Sequence, residues 1–220
     1  MYRILFLITT VLGVGVVHGI DDHSTWFATV YTGTECTGAY YNVTTFIHDF
    51  NNIGFNDLVK SVYGQGAWLL YEEPDYTRRE DPVSWTHFFT TAQVDCLTLP
   101  VTQHNQLSSM RYVGSGDAHD EILTMYHGKD YTGGEDILIR NDDSLGVFTD
   151  HIASIIVTGG ASWTIYSENY YNGVGVCLSP FPVWDTDLFF GAWDVAELDM
   201  PGLGSVKKGC HSEIVRVYLP

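Results

Sequence analysis

Apolar and polar positions alternate along most of the chain in short runs, each interrupted by Gly, Pro, Asn or Asp. No long stretch carries Ala, Leu, Lys and Glu at helical spacing, so the pattern predicts short strands joined by tight turns. The pattern also repeats. The segment Trp68-Leu69-Leu70-Tyr71-Glu72-Glu73-Pro74-Asp75-Tyr76 returns 95 residues later as Trp163-Thr164-Ile165-Tyr166-Ser167-Glu168-Asn169-Tyr170-Tyr171. At the same offset Tyr31 and Gly38 map onto Tyr126 and Gly133, and within each half the leading tyrosines lie 40 residues apart. Four tyrosines (Tyr31, Tyr71, Tyr126 and Tyr166) therefore head four units in a two-by-two arrangement.

Each unit reads as a strand ending near its Tyr, followed by a turn-rich stretch. In three of them a Gly stands seven residues after the Tyr: Gly38, Gly133 and Gly173. A hairpin folded back on itself needs positive φ, which Gly adopts without Cβ strain, and the aromatic ring is expected to cover that bare backbone. Arg78 holds the fourth position, predicting a strained or differently folded hairpin there. Each unit is expected to close on a Ser ahead of an apolar strand: Ser61, Ser109, Ser154 and Ser212, whose hydroxyls can bond backbone groups freed by the hairpin. The polar, Gly-containing segment 114–121 reads as a linker between domains at 26–113 and 122–220, with motifs from about 27, 67, 122 and 162. Each domain is long enough for a two-sheet sandwich. Counting to Ser212 makes the second domain eight residues longer than the repeat, an insertion placed within Phe181–Ser205.

Composition agrees. Aromatics make up 14% of the 220 residues, Tyr alone occurs 14 times and Gly 22 times, and the 45% hydrophobic content suffices for a folded core. Residues 1–19 read as a signal peptide: Arg3, then the apolar run Ile4 to Val17, then Gly19 before Asp21 and Asp22. That run falls short of the roughly 20 residues a membrane span needs. A secreted, extracellular protein is expected. The formal net charge of −17 disfavours nucleic acid and anionic lipid and suits cations.

Cys36, Cys96, Cys177 and Cys210 permit three pairings in an oxidising compartment. Two cysteines fall in each half, so Cys36–Cys96 and Cys177–Cys210 are the preferred disulfides. No CxxC points to zinc. Asn42-Val43-Thr44 is a glycosylation sequon.

A tyrosine, six residues, a Gly and later a Ser before a terminal strand resemble the βγ-crystallin Greek key along nearly all of the chain beyond its signal. The resemblance implies an all-β protein of two βγ-crystallin-type Greek-key β-sandwich domains, structural or cation-binding rather than enzymatic. It also implies that calcium, a hard cation wanting about 6–8 oxygens, is held crosswise between the two loops of a domain. One loop gives an acidic or amide side chain and the next carbonyl, and its partner gives a hydroxyl. In the first domain Asn56-Asp57-Leu58-Val59-Lys60-Ser61 faces His104-Asn105-Gln106-Leu107-Ser108-Ser109. Asp57, the Leu58 carbonyl and Ser108 complete one set, joined by a hairpin carbonyl near Thr34. The reciprocal set meets Lys60, whose ammonium has no lone pair to give. In the second domain Asp150 and the His151 carbonyl remain, but His211 replaces the hydroxyl, so this candidate is weak.

Other chemistries find less support. The nine histidines, His87, His104, His127 and His151 among them, are scattered, and no HExxH, GxSxG or P-loop pattern occurs. Glu72-Glu73 and Glu80-Asp81 could be paired acids for glycoside hydrolysis, but neighbours on a strand point to opposite faces. Trp163, Tyr166, Tyr170 and Tyr171 could stack on sugars, although their repetition assigns them to core and hairpin. The sequence thus predicts a secreted, non-enzymatic, calcium-binding structural protein, monomeric or weakly oligomeric. The alternative is a defence or toxin-associated protein. It would recognise a membrane, a glycan or another protein through the second-domain insertion, which contains Trp184, Phe189, Phe190 and Trp193.

Overall fold

The computed structural model describes residues 26–77, 86–117, 119–146, 151–182 and 189–218. The expected signal peptide, Arg78, Glu80-Asp81, Asp150 and Trp184 lie outside them. Among the described residues the regular elements are strands and short 3-10 turns. In the first half the strands are β1 (Phe27–Tyr31), β2 (Tyr40–Val43), β3 (Ser61–Tyr71), β4 (Thr86–Thr98) and β5 (Ser109–Tyr112). In the second they are β6 (Ile122–Tyr126), β7 (Glu135–Leu138), β8 (Ser154–Thr158), β9 (Trp163–Tyr166) and β10 (Gly175–Ser179). These are followed by β11 (Phe181–Pro182), β12 (Phe189–Asp194), β13 (Ser205–Lys208) and β14 (Val215–Val217).

The halves share one topology. β2 pairs with β1, β1 with the start of β3, and that with the end of β4; β7, β6, β8 and β12 follow the same order. The end of β3 pairs with β5 and with the start of β4, as β9 pairs with β13 and β10. In the first half a register shift between Gly64 and Gly66 lets β3 pass from one sheet to the other without a break. Gly66 is required there: its φ is +106°, and a Cβ would collide with the Trp26 indole. β14 adds a parallel strand to β10, with no counterpart among the described residues of the first half.

The same hydroxyl device closes all four hairpins. The residue five after each leading tyrosine has left-handed backbone, as does the one before it: Glu35 and Cys36, Asp75 and Tyr76, Asp130 and Tyr131, Tyr170 and Tyr171. Its N–H donates to a serine Oγ that in turn donates to a hairpin carbonyl. Ser61 takes Cys36 N–H and reaches Gly33 O; Ser109 takes Tyr76 and reaches Glu73. Ser154 takes Tyr131 and reaches Gly128. The fourth serine is Ser205, which takes Tyr171 N–H at 2.9 Å and reaches Glu168 O at 2.7 Å. This corrects the expectation of Ser212, which bonds Gly175 O on the way to β14. The aromatic rings also behave differently from expectation. Three leading tyrosines pack on a second tyrosine, Tyr71 on Tyr76, Tyr126 on Tyr131 and Tyr166 on Tyr171, at 5.5–5.8 Å between centroids.

Ser205→Ala should therefore cost about 1–3 kcal/mol, since it strands a backbone donor and an acceptor. Ser212→Ala, at a partly exposed site, should cost less than about 1 kcal/mol. Urea midpoints of the two variants order them; equal losses would refute the reassignment.

Two cores result. One, in the first half, is built on Trp68, Leu69, Leu70 and Phe50 and extends across to Tyr126, Ile156 and Phe190. The other is built on Trp163, Ile155, Ile165 and Trp193. β6 and β8 are buried at every position because one face lines the second core and the other meets the first half. Phe190 and Trp193 thus pack inward, so two of the four aromatics of the alternative recognition surface belong to the core, while Phe189 is half-buried. Both preferred disulfides, Cys36–Cys96 and Cys177–Cys210, are present. Asn42 is exposed on the edge strand β2, its amide oxygen accepting from Thr29.

Candidate functional site

The loops 56–61 and 104–109 run past each other with near-twofold bonding. Asp57 N–H donates to Leu107 O at 3.3 Å and Asn105 N–H to Val59 O at 3.0 Å. Asp57 and Asn105 both have left-handed backbone, with φ of 55° and 59°. Short polar side chains tolerate that conformation through local hydrogen bonds.

The loop position before each hairpin serine is anchored alike. Lys60, Ser108, Ala153 and Gly204 each donate their N–H to the carbonyl of the leading tyrosine, at 2.8–2.9 Å. Of these four equivalent positions only Ser108 carries a hydroxyl. In the second domain the position equivalent to Ser108 is therefore Gly204 rather than His211, which instead donates its N–H to Thr164 Oγ1. Either residue leaves that set without a hydroxyl. His151 is exposed, and Asp150 lies outside the described residues.

Asp57 and Ser108 line one open cleft of about 410 Å³, with Asn51, Asn56, Asn105 and Gln106. The hairpin that walls it is the second, through Glu72, Glu73 and Pro74, and Thr34 is not among its lining. Thr34 instead stays in the first hairpin, where its carbonyl accepts from Thr37. The physical reason is the serine lock: Ser108 adjoins Ser109, which pins the second hairpin, whereas Ser61 pins the first. The Leu58 side chain is 45% exposed beside Asp57. Glu72 and Glu73 escaped the sequence reading because they looked like solvated turn acids.

The chemistry of the cleft is that of oxygen donors. Asn56 Nδ2 donates to Asp57 Oδ2 at 2.9 Å, while Asn56 Oδ1 is buried with no hydrogen-bond partner among the described residues. An amide oxygen beside a carboxylate is a donor atom of the kind a hard cation takes. Loss of surrounding water raises the Asp57 carboxyl above its ordinary value, and a cation would reverse that. Among the described residues no three His, Cys, Asp or Glu side chains gather in the manner of a metal cluster. A cation here would thus depend on amide, hydroxyl and carbonyl oxygens as well as carboxylate.

No protein-family model and no curated protein matches the chain. Among solved structures it resembles geodin, a β-γ crystallin from Geodia cydonium, with 17% identity and a TM-score of 0.61, over 84% of this chain and 99% of geodin. The fold is that of a βγ-crystallin. A βγ-crystallin from Ciona intestinalis is 20% identical over 39% of this chain and 98% of its own, with a TM-score of 0.33. Protein S, solved in complex with calcium, is 13% identical over 82% of this chain and 98% of its own, with a TM-score of 0.31. Likenesses at those scores carry no weight for this chain. What the βγ-crystallin fold accounts for here is the crossing of the two loops, which sets Asp57 of one beside Ser108 of the other.

Proposed function

We propose that this is a secreted, non-enzymatic structural protein of two βγ-crystallin domains, 26–113 and 122–220, joined by the linker 114–121, and that its first domain holds calcium. The observation that carries the reading is the convergence of Asp57 and Ser108 from distant loops on one oxygen-lined cleft. Asp57, the Leu58 carbonyl, Ser108 and Asn56 would hold the ion. The second hairpin, at Glu72 and Glu73, takes the place assigned to Thr34. Calcium would supply no reaction; it would tie two loops and a hairpin together. Two disulfides suit the oxidising exterior, where free calcium is plentiful. The positions equivalent to Ser108 and Lys60 in the second domain are Gly204 and Ala153, neither with a hydroxyl, so Asp150 and the His151 carbonyl would contribute at most a weaker site.

Thermal melting tests this. Calcium at about 100 times its dissociation constant adds roughly 2.7 kcal/mol, which for a chain of this size raises Tm by about 5–11 °C. Asp57→Ala and Ser108→Ala should each abolish most of that rise, the calcium-free melt of Asp57→Ala starting lower by the strain of alanine at a φ of 55°. An unchanged wild-type Tm on adding calcium would remove the ion from the proposal.

A further inference from the structure

The hairpin that walls the cleft has a second neighbour. Its Glu72, Glu73 and Pro74 line the oxygen-rich side. Its two tyrosines meet the other half of the chain. Tyr76 O accepts Gly133 N–H at 2.8 Å, and Tyr71 Oη donates to Tyr131 O at 2.6 Å. β5 and its lead-in divide in the same way. Ser108 faces the cleft, while Arg111, three residues on, donates to Tyr71 Oη, Gly133 O and Tyr131 O at 2.8–3.0 Å. The backbone joins the two sets tightly, because Ser108 N–H is held by the Tyr71 carbonyl and Ser109 Oγ spans Tyr76 N–H and Glu73 O.

We infer that the hairpin Tyr71–Tyr76 couples the cation cleft to the junction between the halves: an ion in the cleft tightens the junction, and the junction sets the affinity of the cleft. The inference rests on the cation reading of that cleft. The physical ground is that the same short backbone segment is ordered from both sides. Whichever side binds first removes freedom that the other would otherwise have to remove. Linkage then makes the effect reciprocal: the factor by which calcium strengthens the junction is the factor by which the junction strengthens calcium binding.

The Gly133 amide hydrogen gauges the junction directly, since its acceptor belongs to the hairpin. In the full chain, calcium chloride should slow exchange of that amide by about fivefold or more, the lower end of ordinary coupling between sites. Asp57→Ala should show no such slowing. Tyr71→Phe keeps the ring but removes the hydroxyl that meets Tyr131, and by calorimetry it should weaken calcium binding by about fivefold. Heat of calcium binding with unchanged Gly133 exchange, and a Tyr71→Phe affinity equal to the wild type, would overturn the coupling and leave the site standing. Absence of any calcium heat in the wild type would overturn the site, and the coupling with it.

Discussion

Arg111→Met is expected to cost about 3–5 kcal/mol of folding stability, the range for breaking a buried ion pair from one side. Arg111 is 1% exposed. Its guanidinium lies over the rings of Tyr76, Tyr126 and Tyr71 at 4.5, 4.8 and 5.3 Å, and among the described residues it is paired with the Glu135 carboxylate at 3.5 Å. Burial holds the phenols of Tyr71, Tyr76 and Tyr126 well above their ordinary values, so they remain neutral around the cation. Methionine would fill much of the volume but leave the Glu135 carboxylate buried without its cation and take the guanidinium bonds from Tyr71 Oη, Gly133 O and Tyr131 O, of which Tyr131 O keeps the Tyr71 hydroxyl. Urea unfolding followed by tryptophan fluorescence measures the loss, and a value below about 1 kcal/mol would refute the role.

The pH dependence of that variant has a definite sign. Burial raises the Glu135 carboxyl above its ordinary range, Arg111 lowers it and Asp136 raises it. Removing Arg111 removes the lowering cause, so the carboxyl moves further up. A carboxyl raised on folding takes up a proton more readily when folded. Its penalty is therefore absent below the ordinary glutamate value of about 4.3 and grows as pH rises through the folded value. The deficit of Arg111→Met should be greatest at neutral pH and shrink towards pH 4. Adding Glu135→Leu should recover most of the loss at pH 7 while changing little at pH 4.

The residues in which the chain spelled out this fold, and those in which it did not, have physical causes. The leading tyrosines and Gly38, Gly133 and Gly173 were legible because hairpin strain depends on local sequence, and those glycines do have positive φ. Ser61, Ser109 and Ser154 were legible for the same reason. Ser205 stands 96 residues after Ser109, within one of the 95-residue repeat, so spacing alone favours it over Ser212 at 103. Ser212 misleads because the apolar strand Val215–Val217 follows it, and that strand pairs in parallel with β10 instead of closing a hairpin unit. Asp57 and Ser108 could be paired from sequence through the crosswise rule, yet the hairpin closing their cleft could not. The first and second hairpins are chemically alike along the chain, and only the serine locks decide which one faces Ser108. Arg111 gave no signal at all. An arginine in a strand reads as a solvent-facing residue, and only the packing of β6 and its following hairpin against β5 buries it.

Replacing Cys36 and Cys96 together by serine should cost about 4 kcal/mol, the chain-entropy estimate for a loop of the observed 60-residue separation. For a chain of this size that lowers Tm by about 8–16 °C. The bond occupies a telling place. Cys36 stands five residues after Tyr31, where the other hairpins have Tyr76, Tyr131 and Tyr171 packed on their leading ring. Tyr31 has no such partner and turns to Tyr40 instead, at 5.9 Å. The first hairpin thus exchanges an aromatic contact, worth about 0.5–1.5 kcal/mol beyond its buried area, for a covalent tie to β4. It loses more than the others would if that tie were cut. The Ser61 hydroxyl would remain at the Cys36 N–H, so the hairpin should stay closed in the native state and the loss should appear as a shifted unfolding midpoint rather than as a disordered segment. A shift equivalent to less than about 1 kcal/mol would mean that the Ser61 lock alone fixes this hairpin and that the unfolded chain gains little freedom when the bond is removed.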